Sequence, residues 1–431
     1  MSLKPTRGDE SPEGPDPASG APDGPDQTAP ESADPAPTAQ PARSAFWHTI
    51  LVTALAFVAA LAIGAVLIAI SDEATRQAAS YFFAYPWDTF TNAGHAIANA
   101  YTALFEGAVF NPNTAANGNL VGYLGPLSET LTNATPLILG GLSVGLAFRA
   151  GLFNIGGQGQ IIIGAVFAGF VGFHWHMPVV IHVLAAIAAG MLGGAIWGAI
   201  SGWLKAHTGA HEVITTIMLN YVAYALLGYL LSVKGFQAPP YGQAISNPVD
   251  HNARLVPLLG DTMRVNAGLI IALIAAVVVW WILKHSRLGF RLRAVGANQF
   301  AARTSGMNVE RSYTTVMVIA GALFGLAGVS QILGTNTQIT GDIDAGIGFD
   351  AITVALLGRA NPVGTVVAGL LFGALHAGGS VMQTYTPIDL VQVIQSLIVL
   401  FVAAPAVIRA IFRIKHAGGG IGAELAKGWN G

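Results

Sequence analysis

The chain has 431 residues, of which 53% are hydrophobic and 10% are charged, and its formal net charge is −2. Soluble globular domains carry about 25% charged residues, so water is not the main solvent of this chain. The near-neutral balance offers no basic field for nucleic acid, and the absence of cysteine excludes disulfides, thiolate nucleophiles and cysteine-ligated metals.

The amino-terminal segment Met1–Ser44 is dominated by small, polar and proline residues, with no large apolar residue after Leu3. Such a segment cannot bury enough apolar surface to offset the entropy of ordering, so we predict a disordered cytoplasmic tail over residues 1–44. It is not a secretory signal, because the apolar run begins only at Phe46 and is too long for one. A second cytoplasmic tail is predicted over residues 416–431.

Between the tails, residues 45–415 form a series of apolar stretches, each near the roughly 20 residues that a helix needs to cross the bilayer. Helices are required because lipid offers no partner for unpaired backbone groups. The predicted fold is an all-α polytopic membrane protein with about ten transmembrane helices, including two broken or re-entrant segments. The predicted spans are 46–70, 127–148, 155–173, 178–203, 213–231, 267–283, 313–333, 346–357, 363–381 and 390–412.

Lysine and arginine are distributed unevenly between the two sides of this arrangement. With the amino terminus inside, all of the 20 cationic residues except Arg76, Lys234, Arg254 and Arg264 fall on inner segments. Because inner loops of membrane proteins carry the excess of Lys and Arg, both termini are predicted to be cytoplasmic.

The first break is the segment 149–160, RAGLFNIGGQGQ, in which clustered glycines and three amides interrupt an apolar region. Broken helices at membrane depth are tolerated where the backbone is buried in protein or lines a wet cavity, and in transporters such breaks often border the substrate. Asn154, Gln158 and Gln160 are therefore candidate residues of a substrate path. The alternative is a plain cytoplasmic turn with solvated amides.

The second break, Gly358–Pro362, follows a short span that contains Asp350. A carboxylate within the membrane is costly and usually faces a cavity or a partner. Asp350 could accept hydrogen bonds from substrate hydroxyls, or it could cap the amino terminus of the half-helix. Phe349 and Thr353 complete this second candidate set.

Two further features lie within the spans. Asn220 sits in the middle of the fifth span, where an amide either hydrogen-bonds across helices or faces the path. Small residues recurring every four positions allow close approach of helices, which is the role predicted for Gly190, Gly194, Gly198 and Gly202.

The largest inner loop, residues 284–312, contains a candidate docking element. Asn298 is a suitable N-cap and Gly306 a suitable residue after the C-cap, so a surface helix of about two turns is predicted between them. A helix on the cytoplasmic side can bind a partner, although a basic loop that only fixes orientation is the alternative. The candidate coupling residues are Ala297, Asn298, Gln299, Phe300, Ala301, Ala302, Arg303 and Gly306.

No cofactor and no metal site are predicted. His174, His176 and His182 have no acidic or thiol partner, which favours interface histidines over metal ligands. The sequence also contains no Gly-x-x-x-x-Gly-Lys-Ser/Thr pattern, so any ATP that drives this protein binds to another chain.

Four segments carry a family resemblance: AGLFNIGGQGQ at 150–160, EVITTIMLN at 212–220, LRAVGANQFAAR at 292–303 and FDAITVALLG at 349–358. Together they resemble the permeases of the branched-chain amino acid, ribose and nucleoside group of ABC importers, most of all the nucleoside permeases, which are often described as simple-sugar permeases. The resemblance covers about residues 127–413.

This resemblance implies a permease subunit, without its own ATPase site, in the plasma membrane of a prokaryote. Its implied partners are cytoplasmic ATPase subunits, a second permease that forms a heterodimer with it, an extracytoplasmic substrate-binding protein and a small polar solute, here a nucleoside. The loop around Asn298 would be the coupling helix, and the segment near Asn154 would border the path. One departure is that the family usually has an acid where Gln158 stands.

Other functions remain open at this point. The same class of importer could carry ribose, other simple sugars or branched-chain amino acids. A secondary transporter or channel would need ion-coupling carboxylates within the spans, for which Asp350 is the only candidate. A membrane-embedded enzyme would need a nucleophile or a metal set, which the sequence does not offer.

Overall fold

The computed structural model describes residues 42–116 and 118–413. The predicted tails therefore lie outside the described residues, except that the first helix already begins at Ala42, before the predicted end of the amino-terminal tail at Ser44. The helices are α1 (Ala42–Ser71), α2 (Glu73–Ser80), α3 (Pro86–Ala108), α4 (Pro112–Ala115), α5 (Leu120–Arg149), α6 (Gly157–His174), α7 (Val179–Thr208), α8 (Glu212–Leu230), α9 (Gly268–His285), α10 (Arg287–Ala297), α11 (Gln299–Thr304), α12 (Val309–Val329), α13 (Ile347–Leu357), α14 (Pro362–Met382), α15 (Ile388–Ala403) and α16 (Pro405–Ile411).

The prediction of an all-α polytopic membrane protein is confirmed. Over the described part of the chain, eight helices are long and apolar enough to cross a membrane, and α13 and α15 add two shorter apolar segments. The final predicted span is divided, because Pro405 starts a new helix directly after Ala404. Proline has no N–H to donate to the preceding turn, so it ends one helix and begins the next.

Helix α12 lies at the centre of the bundle, in contact with α5, α6 and α7. It begins as a regular helix and continues through one π-helical turn, Ser330–Thr335. Its side chain Phe324 is fully buried. The helix therefore provides the common packing surface of the main apolar core.

The seam between α7 and α12 is formed by glycine backbones. A Cβ built on Gly194 would lie 2.7 Å from the Cα of Gly325, and one built on Gly202 would lie 2.7 Å from the Cβ of Met317. Gly190 and Gly198 face α12 in the same way, and their added Cβ atoms would overlap Val329 and Met317 respectively. A side chain at any of these positions would force the two helices apart.

One end of the bundle is rich in cations, and we call it the basic end. It is the end at which α5, α7 and α9 finish and α12 and α14 begin. The Nε of Arg149 donates a hydrogen bond of 3.1 Å to the carbonyl of Ala360 there, and Lys205 forms an ion pair of 2.9 Å with Glu212.

The other end is formed by the connections between α8 and α9 and between α12 and α13. These two connections bind each other: the N–H of Ser246 donates to the carbonyl of Ile339 at 3.0 Å, and the N–H of Ile339 donates to Oγ of Ser246 at 2.8 Å. The segment 336–346 is thus fixed at this end before it turns into the bundle to start α13.

Candidate functional site

The first break connects α5 to α6 and is buried. After Arg149 the chain turns through Gly151, whose φ of +73° lies in the left-handed region that favours glycine. The amides of Asn154 and Gln160 then pair through two hydrogen bonds of 3.1 and 3.2 Å, and both side chains are almost fully buried. These amides are bound to each other within the protein, which does not fit a plain turn with solvated amides.

Asn220 on α8 forms two hydrogen bonds to the backbone of this break. From the middle of α8, its Oδ1 accepts a hydrogen bond of 2.9 Å from the N–H of Gly159, and its Nδ2 donates one of 3.0 Å to the carbonyl of Ile155. The helix is interrupted here, so these two backbone groups have no partner in a regular helical turn. The Asn220 side chain supplies the missing donor and the missing acceptor. Of the two interpretations of Asn220, the geometry corresponds to hydrogen bonding across helices.

The segment that leads into α13, ahead of the predicted second break at Gly358–Pro362, contains a buried carboxylate, Asp344. The hydroxyl of Tyr224 donates to its Oδ1 at 2.6 Å, the Nε2 of Gln158 donates to its Oδ2 at 3.1 Å, and the N–H of Gly346 donates to Oδ2 at 3.4 Å. Asp344 is 2% exposed, and its three donors come from three different elements. The carboxylate thus joins α6, α8 and the start of α13.

The two half-helices α6 and α13 begin next to each other inside the bundle. A Cβ added to Gly348 would lie 2.6 Å from Cγ of Gln158, so the first turns of the two helices are in contact. A Cβ added to Gly157 would lie 2.5 Å from the Phe324 ring, and the same ring packs on Gly140 of α5. Gly140 is nine residues, about 14 Å, from the end of α5, so both helices start inside the bundle and not at its basic end.

From this meeting point the half-helices diverge. Helix α6 runs away from the basic end, whereas α13 runs toward it and reaches the turn at Ala360. Both amino termini, where backbone N–H groups are unpaired and the helix dipole is positive, therefore point to the same interior region. The Asp344 carboxylate lies in this region, and a negative charge there is favourable.

Asp350 belongs to a different surface. Its Oδ2 lies 3.1 Å from Nε2 of His376 on α14, and both side chains are about one-third exposed. The described hydrogen bonds give α13 no side-chain cap from Asp350. Phe349 beside it is 53% exposed, and Thr353, one turn later, is half-buried.

The predicted docking loop contains α10 and α11. Oδ1 of Asn298 accepts from the N–H groups of Phe300 and Ala301 at 2.9 and 3.0 Å, and Gly306 has the left-handed φ of +80°. The short helix predicted from the N-cap and the terminal glycine is therefore present. Phe300 is 71% exposed, whereas Ala302 is buried.

The loop is connected both to α12 and to the first break. The hydroxyl of Tyr313 on α12 donates to Oε1 of Gln299 at 3.0 Å. Just before α11, a Cβ added to Gly296 would lie 2.9 Å from the carbonyl carbon of Ala150 and would overlap the carbonyl oxygen of Arg149. The loop thus packs backbone to backbone against the start of the first break.

Residues 127–403 match the family described as the branched-chain amino acid transport system permease component. The chain belongs to this permease family. It is 36% identical over 331 residues to the guanosine ABC transporter permease protein NupP of Bacillus subtilis, covering 76% of this chain and 91% of the relative. No solved structure matches the chain at a significant level.

Two further relatives of the permease carry different substrate names. The nucleoside ABC transporter permease protein NupB of Lactococcus lactis is 33% identical over 299 residues, covering 66% of this chain and 81% of the relative. The glucose ABC transporter permease protein TsgB13 of Haloferax volcanii is 36% identical over 288 residues, covering 64% and 75%. As a multi-pass member of this family, the permease resides in the plasma membrane and is a transport subunit of an ABC system.

The residues predicted for the path fall into two groups in the permease. Asn154, Gln158, Gln160 and Asn220 come together around the start of α6. Phe349, Asp350 and Thr353 lie on α13, where Gly348 is the residue that contacts Gln158 and Asp350 pairs with His376. The structure thus gives the two candidate sets different surroundings.

Sequence reasoning missed the acid at the centre of the arrangement, Asp344, and its donor Tyr224. It also missed His376, the partner of Asp350. Asp344 precedes the short helix by three residues, in the polar stretch TGDIDAG. That position, an acid just before a half-helix within an apolar region, is the signal that could have indicated it.

Proposed function

We propose that this permease forms the nucleoside translocation path of an ABC importer. The observation that carries the proposal is the 36% identity to a guanosine permease over 91% of that protein, supported by the second nucleoside permease among its relatives. Once transport opens the buried network around Asp344, its carboxylate, amide and hydroxyl groups would suit a neutral, hydroxyl-rich solute. A path of this composition offers both donors and acceptors without a strong net field.

The importer in this proposal contains cytoplasmic ATPase subunits, an extracytoplasmic substrate-binding protein and a second permease that pairs with this one as a heterodimer. The permease has no phosphate-binding loop of its own, so the energy of ATP hydrolysis reaches it through contact with the ATPase. We place both termini and the basic end in the cytoplasm, in keeping with the excess of Lys and Arg on inner segments.

Within the path, the meeting point of α6 and α13 is the proposed constriction. Asn154, Gln158, Gln160 and Asn220 border it, and Asp344 joins this set. Phe349, Asp350 and Thr353 are proposed to line a second, wetter part of the path. Their one-third exposed Asp350–His376 pair supports this, because lipid cannot solvate such a pair.

The proposed coupling element is α11 with its flanking residues Ala297 to Gly306. Exposed Phe300 offers an apolar anchor for the ATPase. Movement of α11 would pass through Gly296 to the turn at Arg149–Gly151, from which the first break begins. Because Arg149 also binds the carbonyl of Ala360 at the end of α13, the same turn is connected to both half-helices.

A glucose or other sugar importer is the second candidate, favoured by the 36% identity to the Haloferax glucose permease. Branched-chain amino acids, which the family description names, are the third candidate solute. The three solute classes share small size and polar groups, and the broken helices alone do not separate them.

The test is uptake by the whole complex. A tag on this permease is used to isolate the assembly from its native membrane, and the assembly is reconstituted in vesicles with its binding protein. We expect an ATPase and a second permease to co-purify, and radiolabelled guanosine to enter only with ATP. Glucose entering in preference to guanosine would establish the sugar alternative. Uptake driven by an ion gradient without ATP, with no ATPase in the preparation, would refute the ABC proposal.

A further inference from the structure

A cationic groove lies where α9 passes into α10. The groove has a volume of about 790 Å³. Its charged lining is Lys284, Arg287, Arg291 and Arg293, and the ring of Phe290 lies among them. Across residues 42–116 and 118–413, the ion pairs found involve none of these four cations.

Four cations in one groove without a carboxylate repel one another, and an anionic ligand would relieve that repulsion. Arginine in particular suits phosphate, since its planar fork donates two parallel hydrogen bonds to two phosphate oxygens. A fully solvated basic surface would need no apolar side chain. Phe290, however, is 57% exposed within the groove. The combination of an aromatic ring with cations fits a ligand that has both an anionic and an apolar part.

The position of the groove relative to the bilayer identifies that ligand. Helix α9 has 18 residues, so it is about 27 Å long and close to the hydrocarbon thickness. Lys284 is in its last turn, and its ammonium lies 5.2 Å above the ring of Trp280. Trp281 is also exposed. Paired tryptophans and a lysine at the end of an apolar helix mark the level of the lipid headgroups.

Helix α10 continues from this level as an amphipathic helix. Leu292 and Val295 are buried against the bundle, while Arg287, Phe290 and Arg291 face outward. Basic amphipathic helices next to a span lie in the membrane interface, where they bind anionic headgroups. The outward face of α10 begins directly at the end of α9. The exposed Phe300 lies on α11, which begins only after the full length of α10, about 16 Å farther along the chain.

We propose that this groove binds the phosphate headgroup of an anionic phospholipid, with the acyl chains alongside Trp281 and Phe290. The lipid site and the ATPase contact are then separate surfaces on neighbouring helices, α10 for the headgroup and α11 for the ATPase. The proposal does not depend on which solute the permease carries. It follows from the four cations that form no ion pair with a carboxylate, the exposed aromatic ring and the end of α9.

The test uses the full-length permease, purified in neutral detergent, with phosphatidylglycerol or phosphatidylcholine added. Native mass spectrometry counts the lipid that remains bound. We expect phosphatidylglycerol to be retained and phosphatidylcholine to be lost. The double variant Arg287→Gln with Arg291→Gln should bind phosphatidylglycerol on the order of tenfold more weakly, because each removed cation weakens attraction to anionic lipid.

The matched control removes two exposed cations from elsewhere, Arg76→Gln with Lys234→Gln, and should retain phosphatidylglycerol as the unchanged chain does. Thermal unfolding without added lipid shows whether the double variant at Arg287 and Arg291 folds. If it does not, the single variant Arg291→Gln, expected to bind about threefold more weakly, replaces it.

Three results would overturn the proposal. The first is equal retention of the two lipids by the unchanged chain. The second is displacement of phosphatidylglycerol by millimolar inorganic phosphate, which would indicate a site for free anions. The third is unchanged lipid binding by the double variant together with loss of the ATPase from the isolated complex, which would assign the groove to protein docking.

Discussion

The backbone of Gly296, at the end of α10, lies directly against the backbone of Gly151, where the first break starts. A Cβ built on Gly151 would be only 3.2 Å from the Cα of Gly296, and one built on Gly296 would be 2.9 Å from the N of Gly151. Neither position has room for a side chain unless one backbone shifts. This contact connects the helix that precedes the proposed coupling helix to the first break.

The substitution Gly296→Ala tests that connection. The added methyl group would overlap the carbonyl oxygen of Arg149, so α10 and the turn must separate. We expect ATP hydrolysis by the reconstituted complex to continue while guanosine uptake falls by on the order of tenfold, since a shift of about 1 Å in a coupled geometry is costly. Uptake and hydrolysis measured on the same vesicles give the coupling ratio.

Gly94→Ala is the control for this experiment, because nothing lies within 4 Å of a Cβ at Gly94 in α3. It should leave both uptake and hydrolysis unchanged. A Gly296→Ala complex with the normal ratio of uptake to hydrolysis would show that this contact does not couple ATP hydrolysis to transport.

Replacing Asn220 with alanine leaves the N–H of Gly159 and the carbonyl of Ile155 without their partner. Each unsatisfied buried backbone group costs about 1–3 kcal/mol. We expect a clear fall in the thermal unfolding temperature in detergent and loss of uptake. Asn133→Ala is the matched control, because that side chain only donates to Glu129 one turn earlier in its own helix. Equal stability of the two variants would contradict the assigned role of Asn220.

Tyr224→Phe removes one donor from the buried carboxylate of Asp344. A hydrogen bond to a charged group contributes about 1.5–3 kcal/mol, so the segment 336–346 should open more often. Because the chain has no cysteine, Ile343→Cys, buried at 2% exposure, reports this opening through its rate of thiol labelling. Labelling should be faster with Tyr224→Phe than with Tyr221→Phe, whose ring is exposed on the same helix.

Gln158→Glu introduces the acid that the family usually has at this position. In this structure the new carboxylate would stand where the amide now lies 3.1 Å from Asp344. Two carboxylates at that distance are stable only when they share a proton, because both cannot be ionised together. We expect uptake by this variant to fall as pH rises, whereas the unchanged permease keeps its uptake over the same range. Parallel pH profiles for the two proteins would exclude a close contact between these side chains during transport.

The fold was predictable from sequence because each long apolar stretch must pair its own backbone groups in lipid and therefore forms a helix. The span lengths, the helix capped by Asn298 and the left-handed Gly306 all follow from local chemistry. Pro405 was the local signal that divides the last span, and the prediction overlooked it.

The centre of the candidate site was not predictable in the same way. Asp344 and Tyr224 are 120 positions apart, and nothing in either local sequence indicates the other. Their pairing depends on α6 and α13 both starting inside the bundle, a tertiary relationship. Asp350 was the more obvious acid from its place in the apolar run, yet its partner, His376, lies on the next helix.

The glycine seam has a consequence for how the molecule can move. Gly194 and Gly321 each place a Cα against the carbonyl oxygen of the other, and a Cβ at either position would overlap that oxygen. We therefore expect helices α7 and α12 to move together as one rigid unit. During a conformational cycle we expect the displacement to be taken up by elements with fewer buried residues, such as α8, of which 22% is buried within the protein.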